Sequence, residues 1–200
     1  MASEKNMTKL SHILSYALRH NPSKYKLEID DEGWTSVDKL LTALSLHHQN
    51  NNIRTFGRII KRQDLERMIT SSEKVRFELR YDKIRALYGH SNFLTKIKKL
   101  RPSKPPAILY HGTSPSAIRN IISKGLRPMN RQYVHLSADE NTALQVGMRK
   151  IDFYKKEKPV IVLVSAIEAY NTGVYHFYQA TELVWLADYI HTNFIELKYL

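Results

Sequence analysis

Three arginines and several histidines stand in four short strings whose residue types could bind and move a charged group. Leu18-Arg19-His20 precedes Asn21-Pro22, and Ile84-Arg85-Ala86 is followed by Gly89-His90-Ser91. Further on come Tyr110-His111-Gly112-Thr113-Ser114, then Met129-Asn130-Arg131 leading into Val134-His135-Leu136-Ser137. A guanidinium presents fixed, paired donors that match phosphate oxygens better than a lysine does. An imidazole titrates near neutral pH and can carry a proton. Each position also has a plainer reading. Arg19 and His20 suit the end of a helix, where positive charge meets the carbonyl dipole. Arg85 alone would be a solvated hairpin residue, Arg131 a loop charge, and His111 and His135 ordinary strand histidines. Taken singly, the plainer readings win.

The elements that must position these residues can be read from periodicity. Leu10, Ile13, Leu14, Ala17 and Leu18 share one helical face. That helix should stop near His20, because Pro22 disfavours helical geometry at Asn21 and donates no backbone hydrogen bond. Asp31-Glu32-Gly33 turns the chain into Trp34. Thr35 to Asp38 has capping-box-like spacing and opens a second helix burying Val37, Leu40, Leu41 and Leu44. His47 to Asn52 reads as a polar loop, and Asp64 to Thr70 as a third helix. Val75 to Tyr81 and Ile84 to Tyr88 then form a hairpin about a turn at Asp82-Lys83.

Between Thr95 and Pro106 lie five Lys or Arg residues and three prolines, a composition that resists packing and marks a linker. The domains expected are therefore residues 1–94 and 107–200, joined by 95–106. In the second, strands are expected at Ala107 to Tyr110, Tyr133 to Leu136, Val160 to Ser165, Val174 to Tyr178, Leu183 to Leu186 and Phe194 to Leu197. Helices are expected near Ser116 to Lys124 and Glu140 to Met148, with Gly125 as a C-terminal cap. The fold class is α+β.

Composition narrows the chemistry. The 200 residues carry 31 Lys plus Arg against 19 Asp plus Glu, a formal charge of +12, so a polyanionic partner is expected and nucleic acid is the commonest. The absence of cysteine excludes disulfides, thiolate zinc sites and a cysteine nucleophile, and fits a reducing cytoplasm. No run is apolar enough for a signal peptide or a membrane span. No His/Asp/Glu set has metal-ligand spacing, so no metal is expected. The seven glycines form neither a dinucleotide-binding G-x-G-x-x-G nor a P-loop.

Taken together and in order, the four strings resemble the NAD-dependent RNA 2′-phosphotransferase family along nearly the whole chain. The resemblance implies an N-terminal winged-helix lobe that holds an RNA phosphate and a C-terminal ADP-ribosyltransferase-like lobe that holds NAD. It implies an essential set of Arg19, His20, Arg85 and Arg131, and an NAD-binding set of His111, Gly112, Thr113, Ser114, His135 and Ser137. NAD is then a consumed co-substrate, not a hydride carrier. The partner is an RNA bearing a 2′-phosphate, tRNA-like by family, and the expected state is a cytoplasmic monomer. Two rival readings remain at this point: an ADP-ribosyltransferase acting on nucleic-acid ends or protein, and a winged-helix nucleic-acid binder without activity. The chain departs from the family pattern at Glu182-Leu183 before Val184-Trp185-Leu186, and in a lysine-rich stretch, Lys150 to Lys158, expected to be a surface loop.

Overall fold

The computed structural model describes residues 4–50, 59–72, 74–92 and 100–199. The chain is α+β, as expected, and divides into two compact units, Met1–Lys99 and Leu100–Leu200. The first part of the expected linker, through Lys99, lies outside the described residues.

In the first unit, helix α1 (Glu4–Ser15) runs directly into a π-helical turn, Tyr16–His20. Leu10, Leu14, Ala17 and Leu18 are fully buried, so the periodic stripe does face the core. The wider turn ends where Asn21 N–H donates to Tyr16 O, and Pro22 follows. Helix α2 (Val37–Asn50) buries Val37, Leu40 and Leu44 but leaves Leu41 partly exposed. Its cap is Ser36, whose Oγ accepts from Lys39 N–H at 3.4 Å, one residue later than the spacing suggested. The polar run from His47 continues this helix to Asn50 where a loop was expected; the rest of it lies outside the described residues. Helix α3 (Arg62–Thr70) buries Leu65 and Met68, and Asp64 caps it by accepting from Lys61 N–H at 2.8 Å.

Strands β1 (Trp34–Ser36), β2 (Phe77–Arg80) and β3 (Lys83–Ala86) form an antiparallel sheet in the order β1-β3-β2. The hairpin turn is Tyr81-Asp82, one residue earlier than expected, with Tyr81 in the left-handed region at φ 52°. Strand β1 was not foreseen: three residues are too few to show alternation.

The second unit is built on a six-stranded antiparallel sheet ordered β7-β8-β5-β4-β6-β9. Its strands are β4 (Ile108–Thr113), β5 (Val134–Ser137), β6 (Val160–Ser165), β7 (Phe177–Gln179), β8 (Val184–Ala187) and β9 (Ile195–Tyr199). Helices α4 (Pro115–Lys124), α5 (Glu140–Met148) and α6 (Ala166–Asn171) interleave them. The short α6 follows β6 and, at six residues, is too short for its period to register in the sequence. Gly125 ends α4 at φ 71°, ψ −174°, a region open only to glycine. A Cβ there would strike Ile190 O. Val162, Val164, Leu136, Phe177 and Ala187 fill the core behind the sheet.

Two glycines let α5 lie against β4. A Cβ on Gly112 would collide with Ala143 O, and one on Gly147 would stand 2.8 Å from the Pro159 Cβ. Nothing nearby is a flexible tip that can yield, so Gly112→Ala should destabilise the second unit by about 3 kcal/mol or more, an overpacking cost. Gly173, at φ 74° with open space around it, should lose only about 1 kcal/mol as Ala, the cost of a left-handed L-residue. Chemical denaturation read at Trp185 checks this; equal losses for the two variants would contradict the packing described.

Candidate active site

In the first unit the π-helical turn presents Arg19 and His20 to the segment after β3. The Arg19 guanidinium lies over Tyr88 at 4.9 Å and Phe77 at 5.3 Å, and its Nη2 donates to Arg76 O at 3.3 Å. Gly89, at φ 90°, passes close beside it: a Cβ would come 3.3 Å from Arg19 Nη1. His20 Nδ1 is 2.8 Å from Ser91 Oγ, and Ser91 N–H donates to Arg19 O at 2.9 Å. Ser91 therefore fixes both neighbours, one through its side chain and one through its backbone.

Between these lies His90, buried, with its Nε2 making no hydrogen bond among the described residues. Burial, helped by the charges of Arg19 and His20, pushes its pKa down to about 4. His90 is thus a neutral imidazole beside the pair, a role the sequence did not mark.

Arg85 has its own setting. Ile84 and Ala86 point into the core, so strand alternation turns Arg85 to the other face of the sheet. There it lies over the Trp34 ring at 4.4 Å. Its Nε and Nη2 reach Glu78 Oε2 at 2.8 and 2.6 Å, and Nη1 donates to Glu32 O at 3.2 Å. Trp34 and Glu78 are its register partners on β1 and β2. The half-exposed ion pair contributes little stability, but ring and carboxylate together restrict the guanidinium to one plane.

In the second unit, adjacent strands β4 and β5 bring the other six expected residues together. His111, Gly112 and Thr113 end β4, Ser114 occupies the N-cap of α4 with its Oγ 2.8 Å from Ser116 Oγ, and His135 and Ser137 lie on β5. Thr113, Ser114 and Ser137 are buried. His111 Nδ1 donates to His135 O at 2.8 Å, and since a carbonyl only accepts, the proton sits on Nδ1 and Nε2 is left as an acceptor. His135 Nδ1 donates in the same way to Tyr133 O at 3.0 Å.

Lys150 meets those acceptors. Its Nζ donates to Gly112 O at 2.8 Å and lies 3.4 Å from His111 Nε2. The lysine was expected in a surface loop and does lie in an exposed turn, with its ammonium end against β4. Desolvation, with the Arg131 and Arg149 charges, pushes its pKa down to about 8. His111 is pushed down to about 4 by burial first, then by Lys150 and Arg131, against an opposing effect of the His135 carbonyl. Arg131 itself is exposed, follows a turn with Met129 at φ 49°, and acts on both groups. The only sign of Lys150 in the sequence was its place just beyond the helix that carries Gly147.

The second unit thus offers two hydrogen-bond acceptors, His111 Nε2 and Gly112 O, beneath a cluster of cations. A ligand with N–H or O–H donors at one end and negative charge at the other matches it. Among the described residues no group of three His, Asp or Glu side chains is placed to hold a metal ion. No helix there is long and apolar enough to cross a membrane.

His90, buried, and His111, partly buried, set a pH dependence. An unfolded chain protonates His90 and His111 below about pH 6.5, whereas the native protein resists this until about pH 4. The unfolded state then binds more protons, so stability should fall as pH drops from about 6.5 towards 4, by about 2 kcal/mol per histidine at pH 5. Urea denaturation at pH 7 and 5, with the imidazole resonances followed by NMR, checks this. Two rings should remain neutral at pH 5; every histidine titrating near 6.5 would contradict it.

Residues 5–189 match the profile of the family described as RNA 2'-phosphotransferase, Tpt1 / KptA family. A protein of Bacillus thuringiensis subsp. konkukian is 48% identical over 198 residues, covering 99% of each chain. One from Acetivibrio thermocellus is 44% identical over 191 residues, covering 96% of this chain and 97% of its own. One from Pectobacterium atrosepticum is 38% identical over 196 residues, covering 97% and 99%. All three are named probable RNA 2'-phosphotransferase. With matches that run through both units, the chain belongs to the RNA 2'-phosphotransferase family.

Proposed function

We propose that this protein removes the 2′-phosphate from an RNA, tRNA-like by family, by transferring it to the ADP-ribose part of NAD. The observation that carries the reading furthest is the pairing of acceptors and cations around Lys150. His111 Nε2 and Gly112 O suit the amide or hydroxyl donors of such a ligand, whose binding would displace the ammonium that now fills them. Freed from those acceptors, Lys150 would join Arg131 in holding the pyrophosphate. Thr113, Ser114, His135 and Ser137 would line the same two strands, in an ADP-ribosyltransferase-like lobe.

The first unit, with helices α1, α2 and α3 and the antiparallel sheet of β1, β3 and β2, would be a winged-helix lobe holding the RNA phosphate. Arg19, His20 and Arg85 supply its donors. Each charge-assisted contact contributes on the order of 2 kcal/mol, enough to bind and also to orient the dianion. Stacking on Tyr88 and Trp34 keeps the two guanidinium planes from turning away.

NAD supplies an anomeric carbon with a good leaving group. A phosphate oxygen attacks that carbon and nicotinamide departs; the adjoining ribose 2″-hydroxyl then attacks phosphorus and expels the RNA 2′-oxygen. The products are RNA with a 2′-hydroxyl and ADP-ribose 1″,2″-cyclic phosphate. Arginines stabilise charge on the equatorial oxygens in the second step, and His20, anchored by Ser91, carries the proton between the two hydroxyls. The phosphate acceptor is already anionic, so no catalytic glutamate is needed to activate it.

A short RNA with one internal 2′-phosphate tests the reading. Loss of the phosphate should require NAD, and alanine at Arg19, His20, Arg85 or Arg131 should lower the rate at least a hundredfold, about the loss of one or two charge-assisted contacts in the transition state. Glu182→Gln should leave the rate within about twofold of wild type. Phosphate loss without NAD, or full activity in Arg131→Ala, would overturn it; accumulation of ADP-ribosylated RNA would favour an enzyme that stops after the first step.

A further inference from the structure

The connection from α5 to β6 is a small ordered structure. From Arg149 to Lys158 it holds five basic residues and two acids. Both acids are spent on the turn itself. Asp152 Oδ1 accepts from Tyr154 N–H at 3.0 Å, Asp152 Oδ2 lies 3.5 Å from Lys155 Nζ, and Glu157 Oε2 accepts from Asp152 N–H at 3.0 Å. A 3-10 turn over Phe153–Lys155 closes with Lys156 in the left-handed region at φ 51°.

What this leaves on the outside is two adjacent aromatic rings and unpaired positive charge. Phe153 is 67% exposed and Tyr154 is fully exposed. Lys156 and Lys158 are exposed and form no ion pair among the described residues. The base of the turn is pinned at both ends: Lys150 N–H donates to Gly147 O at 2.8 Å, and buried Pro159 packs against Gly147. The rings are therefore displayed by a capped and anchored turn, only a few residues beyond the lysine that touches β4.

We propose that Phe153 and Tyr154 stack with unpaired bases of the RNA flanking the modified nucleotide, while Lys155, Lys156 and Lys158 meet its backbone phosphates. Stacking on exposed rings interleaved with basic residues is the general mode of single-strand binding, and the lysines add a salt-dependent attraction. A protein partner fits less well, because lysine is depleted from the buried centres of protein interfaces. The inference rests on the RNA substrate class proposed above but not on the NAD chemistry.

The test separates the two. Binding of a fluorescently labelled single-stranded RNA of roughly ten nucleotides, without a 2′-phosphate and without NAD, is measured by anisotropy for wild type, Phe153→Ala/Tyr154→Ala and Tyr81→Ala. The double variant keeps every charge, so its affinity should fall about tenfold with an unchanged salt dependence. Tyr81→Ala, an equally exposed ring in the first unit, should stay near wild type, and duplex RNA should be bound alike by all three. Turnover of the same RNA carrying a 2′-phosphate should show a raised KM and an unaltered kcat in the double variant. Affinity within twofold of wild type, or an equal loss on duplex RNA, overturns the proposal. A wild type that binds the RNA but turns over nothing with NAD would sink the proposed function and leave this contact standing.

Discussion

The contact on which the second unit depends is the close approach of α5 to β4. Two glycines, Gly112 and Gly147, remove the side chains that would hold the helix and strand apart. Backbone then meets backbone, and the chain leaving α5 carries Lys150 onto Gly112 O and His111 Nε2. From this one packing constraint follow the position of the ammonium, the desolvation of its end, and the lowered pKa values of Lys150 and His111. The anchored turn beyond Lys150 follows from it as well. A methyl at Gly112 would therefore disturb fold and site together.

The two units solve a similar electrostatic problem in similar ways. Each holds a desolvated imidazole beside positive charge: His90 near Arg19 and His20, and His111 near Lys150 and Arg131. A protonated imidazole at either place would add repulsion to sites already rich in cations. Desolvation keeps both rings neutral, so positive potential comes from arginine and lysine, and hydrogen-bond geometry comes from histidine. Arg85 is the exception, since Glu78 and Trp34 define its plane before any ligand arrives. An anion bound there would share the guanidinium with a carboxylate.

Much of this was legible in the sequence, and the parts that were not have physical reasons. The stripe Leu10, Leu14, Ala17, Leu18 and the strand Val160 to Ser165 were clear because apolar periodicity reports burial directly. The arginines and histidines of the four strings were marked only by occurring together and in order, and residues 5–189 do match that family. The surface position of Lys150 was legible, but its contact with β4, 38 residues away in the chain, was not, because an isolated lysine after a helix carries no pattern. His90 was hidden for the opposite reason: it lay inside one of the four strings, but its burial comes from tertiary packing. Strand β1 and helix α6 were too short for either period to register, and the cap at Ser36 was displaced one residue because Thr35 pairs with Ile84 in the sheet.

The proposed transfer of phosphate to ADP-ribose is tested most directly by tracing phosphorus. Purified protein would be given RNA whose 2′-phosphate is isotopically labelled, with NAD, and the labelled products separated and identified. A two-step transfer requires the label to appear in ADP-ribose 1″,2″-cyclic phosphate, one for each nicotinamide released, with none as inorganic phosphate. Label recovered as inorganic phosphate, whether or not NAD is present, would make the protein a hydrolase and contradict an NAD-binding role for the cluster of His111, Gly112, Arg131 and Lys150.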